Sequence, residues 1–137
     1  MRIARYPVSV KAIIFREGKV LMIKKKRKGR EEFGFPGGLV EYKESLEEAC
    51  KREVLEEIGV KVKIVKLLYT TKYDHPLGSE NVGIYYLCEP LARNFKLKEE
   101  KGQEFLELVW VDENDKIPEW AKELIKKFKQ ILKIKTK

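Results

Sequence analysis

Histidine and cysteine are scarce in this sequence. His75 is the only histidine, and Cys50 and Cys88 are the only cysteines. One imidazole and two distant thiols do not make a zinc site of ordinary spacing, and they leave a Ser-His-Asp apparatus poorly supplied. Two cysteines form no disulfide framework. The expectation is reduced, buried thiols in a cytoplasmic protein. Long apolar runs are also missing. Residues 12–15 and 84–88 fall far short of a membrane span. Lys11 and Arg16 bracket the one short apolar stretch near the start, which argues against a secretory signal. Asn and Gln are few beside Lys and Glu, a balance that fits a thermophilic source.

What is present is enough for one domain. At 137 residues, the expectation is a single unit over residues 1–137, with room for one core. Hydrophobic residues make up 43% of the chain, which rules out global disorder. The net charge of +8 suits a polyanionic partner: a nucleotide, a nucleic acid or a membrane surface.

Apolar alternation predicts a strand over residues 8–15, with Val8, Val10, Ala12 and Ile14 on one face. Glu17-Gly18 is a turn signal, and residues 20–23 form the return strand. Residues 24–30 hold six cations around Gly29 and read as a solvated loop. Residues 33–38, Phe-Gly-Phe-Pro-Gly-Gly, read as a short strand entering a tight loop. Ser45-Leu46-Glu47-Glu48 has capping-box spacing for a helix. Leu46, Ala49, Cys50, Val54 and Ile58 form its apolar stripe, and Gly59 its C-cap. Residues 60–70, 82–88 and 105–111 read as strands, and 72–79 as a loop. Pro118 opens a last helix with Trp120, Leu124, Phe128, Ile131 and Leu132 on its apolar face. The order β-β-β-α-β-β-β-α gives a mixed α/β (α+β) sandwich of helices around a sheet.

The chemistry shows in a contrast of charge. Residues 38–60 carry seven glutamates against three cations, so a segment of −4 sits in a chain whose remainder is +12. Glu53, Glu56 and Glu57 stand at i, i+3 and i+4, on one side of the helix. Carboxylates so close repel each other unless something neutralises them. A divalent cation does so, and oxygen-only donors favour Mg²⁺, Mn²⁺ or Ca²⁺ over zinc. The alternative is a solvated acidic face paired with Lys51 and Arg52.

Gly38, Glu44, Arg52-Glu53, Val54, Glu56-Glu57, Gly59 and Val60 fall at the spacing of the Nudix box, and the segment over residues 38–60 resembles it position for position. The resemblance implies a Nudix-type α/β/α sandwich with a mixed sheet, a loop-helix-loop and a C-terminal helix. It implies a pyrophosphohydrolase that uses Mg²⁺, with Mn²⁺ as substitute, and a water nucleophile on a small nucleotide. It implies Glu53, Glu56 and Glu57 as metal-binding carboxylates, with a backbone carbonyl near Gly37 or Gly38 as a further ligand. Arg52 matches the arginine that orients the acidic helix. Glu44 matches a supporting position.

For the general base, Glu53 is the candidate inside the box and Glu104 the candidate outside it; Glu99, Glu100 and Glu107 are alternatives. Pro76, sixteen residues after Val60, resembles the mark of an ADP-ribose pyrophosphatase subgroup. ADP-ribose is therefore placed slightly ahead of a nucleoside triphosphate, and a non-catalytic binding module comes third. Gly38, Glu44 and Pro76 are the candidate substrate contacts. Tyr73, His75, Phe33 and Phe35 are candidates for stacking on a base, although packing is the commoner use of such residues. RNA with a capped or triphosphorylated 5′ end is the less favoured partner, a membrane is not expected, and a homodimer is compatible with the resemblance.

Overall fold

The computed structural model describes residues 1–74, 80–98 and 104–134. Eight strands and two helices are seen among them. They are β1 (Val8–Ile13), β2 (Phe15–Arg16), β3 (Lys19–Arg27), β4 (Arg30–Gly34), β5 (Gly37–Leu39), α1 (Leu46–Ile58), β6 (Val62–Asp74), β7 (Glu80–Pro90), β8 (Glu104–Val111) and α2 (Glu119–Leu132). One sheet has the order β5-β1-β7-β6. It is mixed, because β1 runs parallel to β7 while the other pairs are antiparallel. The second sheet is antiparallel, with β3 paired to β2, β4 and β8.

The alternation in β1 divides the core in two. Val10, Ala12 and Ile14 join Leu21, Ile23, Ile84, Tyr86 and the buried face of α1. Ile13 points the other way and joins Val20, Met22, Phe35, Tyr85 and the buried face of α2. Each helix covers one of these layers, the expected α/β/α sandwich.

Residues 24–30 are not a loop. β3 continues to Arg27, Lys28-Gly29 turns, and β4 returns from Arg30. Both turn residues have positive φ, 51° and 78°, nearly the values at Glu17-Gly18, 51° and 79°. This is the two-residue hairpin turn that matches strand twist. Lys24 reaches Glu31 at 3.7 Å and Arg27 reaches Glu32 at 3.1 Å, so the acids of β4 offset the cations of β3. The expected loop over residues 72–79 is also shortened, because β6 stays paired with β7 as far as Asp74 opposite Glu80. Pro76 and His75 lie outside the described residues, as do Glu99 and Glu100.

Helix α1 begins and ends as its sequence demands. Ser45 accepts the Glu48 N–H, and Gly59 adopts φ 67° with its N–H donating to the Leu55 carbonyl. Backbone N–H groups of Lys96 and Lys98 donate to the carbonyls of Ile58 and Glu57, so the segment after β7 closes the helix end. The face of α2 is as expected at Phe128, Leu124 and Leu132, which pack in or against the core, but it is shifted at its edges. Ala121, Ile125, Phe128 and Lys129 are buried, while Trp120 and Ile131 are exposed. Lys129 faces inward, where its Nζ meets Glu113 at 2.7 Å, with both side chains buried. No helix among the described residues is long and apolar enough to cross a membrane.

Candidate functional site

The site is built where β5 passes the buried face of α1. β5 pairs with β1 at the sheet edge, placing Gly37 opposite Lys11 and Gly38 opposite Val10. Gly37 adopts φ 150°, and a Cβ there would strike the backbone carbonyl of Val10. A Cβ on Gly38 would lie 2.5 Å from the Glu53 carboxylate. Gly37 thus lets β5 lie against β1, and Gly38 lets it run this close to the helix.

On α1, Glu53 and Glu57 are buried and Glu56 is half exposed. The Gly37 N–H donates to Glu57 Oε1 at 2.6 Å, tying the strand to the last turn of the helix. Arg52 organises the rest. Its Nε and Nη2 grip both oxygens of Glu44 at 2.6 and 3.0 Å. Its Nη1 donates to Glu53 at 2.9 Å and Glu56 at 3.2 Å, and Nη2 also donates to the Leu39 carbonyl at 3.1 Å. Glu41 stands a further 3.8 Å from the guanidinium. One cation thus serves four carboxylates, and Glu57 is a fifth beside them.

The electrostatics follow from these contacts. The Arg52 hydrogen bond, helped by the Glu41 N–H, holds the Glu44 carboxyl below the usual carboxylate range. The same bond raises Arg52 further above its already high value. Glu44 is therefore a support for Arg52, and its oxygens are occupied by that contact and by the Glu41 N–H.

The three expected ligands share one helix side without closing on a point. Glu53 and Glu56 are turned to Arg52, and Glu57 to Gly37. Among the described residues no three metal-ligating side chains converge in this arrangement. The donor chemistry nevertheless fits a hard divalent cation. It is all carboxylate oxygen, carries a surplus of negative charge, and sits against a Gly-Gly strand whose backbone comes within reach of Glu53.

Glu104 does not join them. It opens β8 as an exposed residue opposite Lys26, and no described contact links it to α1. Glu107 faces Lys24 at 3.8 Å. Phe35 is core: it packs edge-on against Tyr85, Trp120 and Phe128. Phe33 packs at the margin of the same cluster. Tyr73 is committed to a hydrogen bond with Ser9, 2.9 Å between oxygens.

Lys25, hidden in the cationic run, is close enough to Glu57 for the two charges to influence each other. It is half-buried, with Nζ lying against Gly34. Its pKa is lowered, first by burial and then by the charge of Lys11, while Glu57 and Glu32 pull it upward. The strand alternation Leu21, Ile23, Lys25 carries the signal that could have found it, since the first two belong to the α1 layer of the core.

Known proteins share this fold. The NUDIX domain family model matches residues 5–130. An ADP-ribose pyrophosphatase from Methanocaldococcus jannaschii is 34% identical over 105 residues, covering 74% of this chain and 62% of that protein. The nucleoside diphosphate-linked moiety X motif 6 protein of Xenopus laevis is 31% identical over 114 residues, covering 80% of this chain and 51% of that one. The chain thus spans less than two thirds of the length of either relative. The crystal structure of a MutT protein from Methanosarcina mazei Go1 superposes with a TM-score of 0.78 at 23% identity, covering 93% of this chain and 96% of that one.

Proposed function

The chain belongs to the NUDIX domain family, and from that premise we propose that it is a divalent-metal-dependent pyrophosphohydrolase. Its substrate is a nucleoside diphosphate linked to a second moiety, with ADP-ribose the first candidate. The observation that carries this reading is the carboxylate surplus around Arg52, set against the Gly37-Gly38 strand. The similarity to an ADP-ribose pyrophosphatase supports the choice of substrate.

Glu53, Glu56 and Glu57, with a backbone carbonyl at Gly37 or Gly38, are the groups that would hold Mg²⁺ or Mn²⁺. The cation supplies neutralisation of the diphosphate and a lowered pKa for attacking water. The chain's own groups do the remainder. Arg52 fixes the rotamers of Glu53 and Glu56 by bridging them to Glu44 and to the Leu39 carbonyl. Glu53, buried against Gly38, is the general base that takes the proton from water. Lys25, whose charge acts on Glu57, and its neighbour Lys11 are the cations available to a bound diphosphate. The glycines let phosphate oxygens approach the strand without a Cβ in the way.

The test is product analysis with Mg²⁺ over ADP-ribose, nucleotide sugars, dinucleoside polyphosphates and nucleoside triphosphates. AMP plus ribose 5-phosphate from ADP-ribose is the expected result. Nucleoside monophosphate plus pyrophosphate from a triphosphate would keep the chemistry and replace the substrate. Binding without turnover on any of them would overturn the reading in favour of a binding module.

A further inference from the structure

Cys50 and Cys88 are 38 residues apart in the chain, yet their sulfurs lie 3.9 Å apart in the core between α1 and β7. Both residues are buried, and both are free thiols. Cys50 belongs to the face of α1 that packs on the sheet, one turn before Glu53. Cys88 belongs to the face of β7 that receives the helix, beside Tyr86 and Ile84. The carboxylate helix therefore rests on the sheet through a pair of sulfurs in contact.

We propose that this dithiol is a modification site: Cys50 and Cys88 close to an intramolecular disulfide that pins α1 to β7. A disulfide needs its sulfurs at about 2.05 Å, so closure asks for about 2 Å of approach shared by two side chains. The oxidant is a small-molecule disulfide. The thiolate of one cysteine attacks it, forming a mixed disulfide and releasing one reduced thiol. The second cysteine then attacks the protein-side sulfur of that bond and releases the other. Two electrons pass from the protein to the oxidant, and the two cysteine protons leave with the two released thiols.

The surroundings set when this happens. The Cys88 thiol is pushed well above its ordinary pKa by its hydrogen bond with Cys50 and by burial. The thiolate is the attacking species, so the closed fold protects the pair. Closure accordingly belongs to folding, or to an opening of α1 from the sheet, rather than to casual exposure of the folded protein. The bond would constrain a long loop in the unfolded chain, and its effect is a gain in thermal stability.

The experiment refolds the full chain from denaturant in oxidised and reduced glutathione, beside a refolding in excess reductant. Each product is measured by intact mass, thiol titration in denaturant, non-reducing electrophoresis and thermal melting. The expected product of the oxidising refold is a monomer 2 Da lighter by loss of two hydrogens, with no titratable thiol and one peptide joining Cys50 to Cys88. Its melting temperature is raised by roughly 5–10 °C, and reductant abolishes the gain. C50S and C88S, each keeping one thiol, should melt at the same temperature in both buffers. Two titratable thiols after oxidising refolding, glutathione caps on both, or disulfides only between chains would each overturn the proposal. Should the serine variants fold poorly, the wild-type mass and thiol count decide alone.

Discussion

The two helices are almost the same length, and both bury charge, but they handle it in opposite ways. α2 turns Lys129 inward and meets it with one partner, Glu113, at 2.7 Å. The pair is closed: one positive, one negative, each buried. α1 buries Glu53 and Glu57 and adds Glu56 on the same side, while Glu44 and Glu41 crowd the one guanidinium of Arg52. That set is open: five carboxylates gather around one guanidinium, with the charge of Lys25 felt at Glu57. A closed buried pair is architecture, because its removal leaves an orphan charge. An open set costs repulsion in the folded protein and is sensible only where a cation arrives from outside.

The largest effect should come from breaking the open set. Glu57→Gln keeps an oxygen to accept the Gly37 N–H and removes only charge. It should lower kcat by about 10²-fold or more while leaving the melting temperature nearly unchanged, since weakening a metal ligand should cost no less than the roughly 10–100-fold lost when only its support is removed. Steady-state rates and melting curves on the same sample check both halves.

Breaking the closed pair should do the reverse. Lys129→Met leaves Glu113 buried and unpaired, and should cost about 3–5 kcal/mol in urea unfolding. The double change Lys129→Met with Glu113→Leu should recover most of that loss, because no buried charge remains. Activity per folded molecule should be unaltered in both.

A gentler change probes the bridge inside α1. Arg52→Lys keeps the charge but cannot span Glu44, Glu53, Glu56 and the Leu39 carbonyl together. A roughly tenfold fall in kcat is expected, the ordinary cost of loosening a group that orients ligands. Little change in stability should accompany it.

The smallest effect is a pH dependence. Glu44 has its folded pKa lowered from 4.5, mainly by Arg52. A carboxylate lowered in the folded state contributes stability that is present above its unfolded pKa and lost as pH falls through the folded one. The melting-temperature gap between wild type and Glu44→Gln should therefore hold steady from neutral pH down to about 4.5 and shrink below it. A single ion pair at the edge of the helix keeps that gap small.

The contrast between the helices was only half legible in the sequence. α1 could be read from Ser45 to Gly59, because caps and periodicity are local signals and the acidic residues fall at fixed offsets within one helix. The broad succession of strands and helices was legible too, but three strands were expected before α1 and five are present: β2 is only two residues long, and residues 33–38, read as a short strand entering a tight loop, divide between the end of β4 and the start of β5. What escaped depends on partners far away in the chain. The inward Lys129 meets Glu113 sixteen residues earlier, which no helical periodicity reports. Lys25 and its neighbours looked like a solvated loop because six cations obscured a strand alternation that runs on from Leu21 and Ile23. Lys28-Gly29 is the same turn as Glu17-Gly18, but only the latter stood between recognisably apolar strands. Arg52 was foreseen as an orienting residue, yet its reach to the Leu39 carbonyl requires the fold. The meeting of Cys50 with Cys88 likewise depends on how α1 lies across β7.

Mn²⁺ binding, measured by titration calorimetry on wild type, Glu57→Gln and Glu113→Gln, tests the distinction between open and closed charge most directly. Saturable binding to wild type, retained in Glu113→Gln and lost or severely weakened in Glu57→Gln, is the predicted result. Undiminished binding in Glu57→Gln, or no binding to wild type, would contradict the claim that the α1 carboxylates are a metal centre.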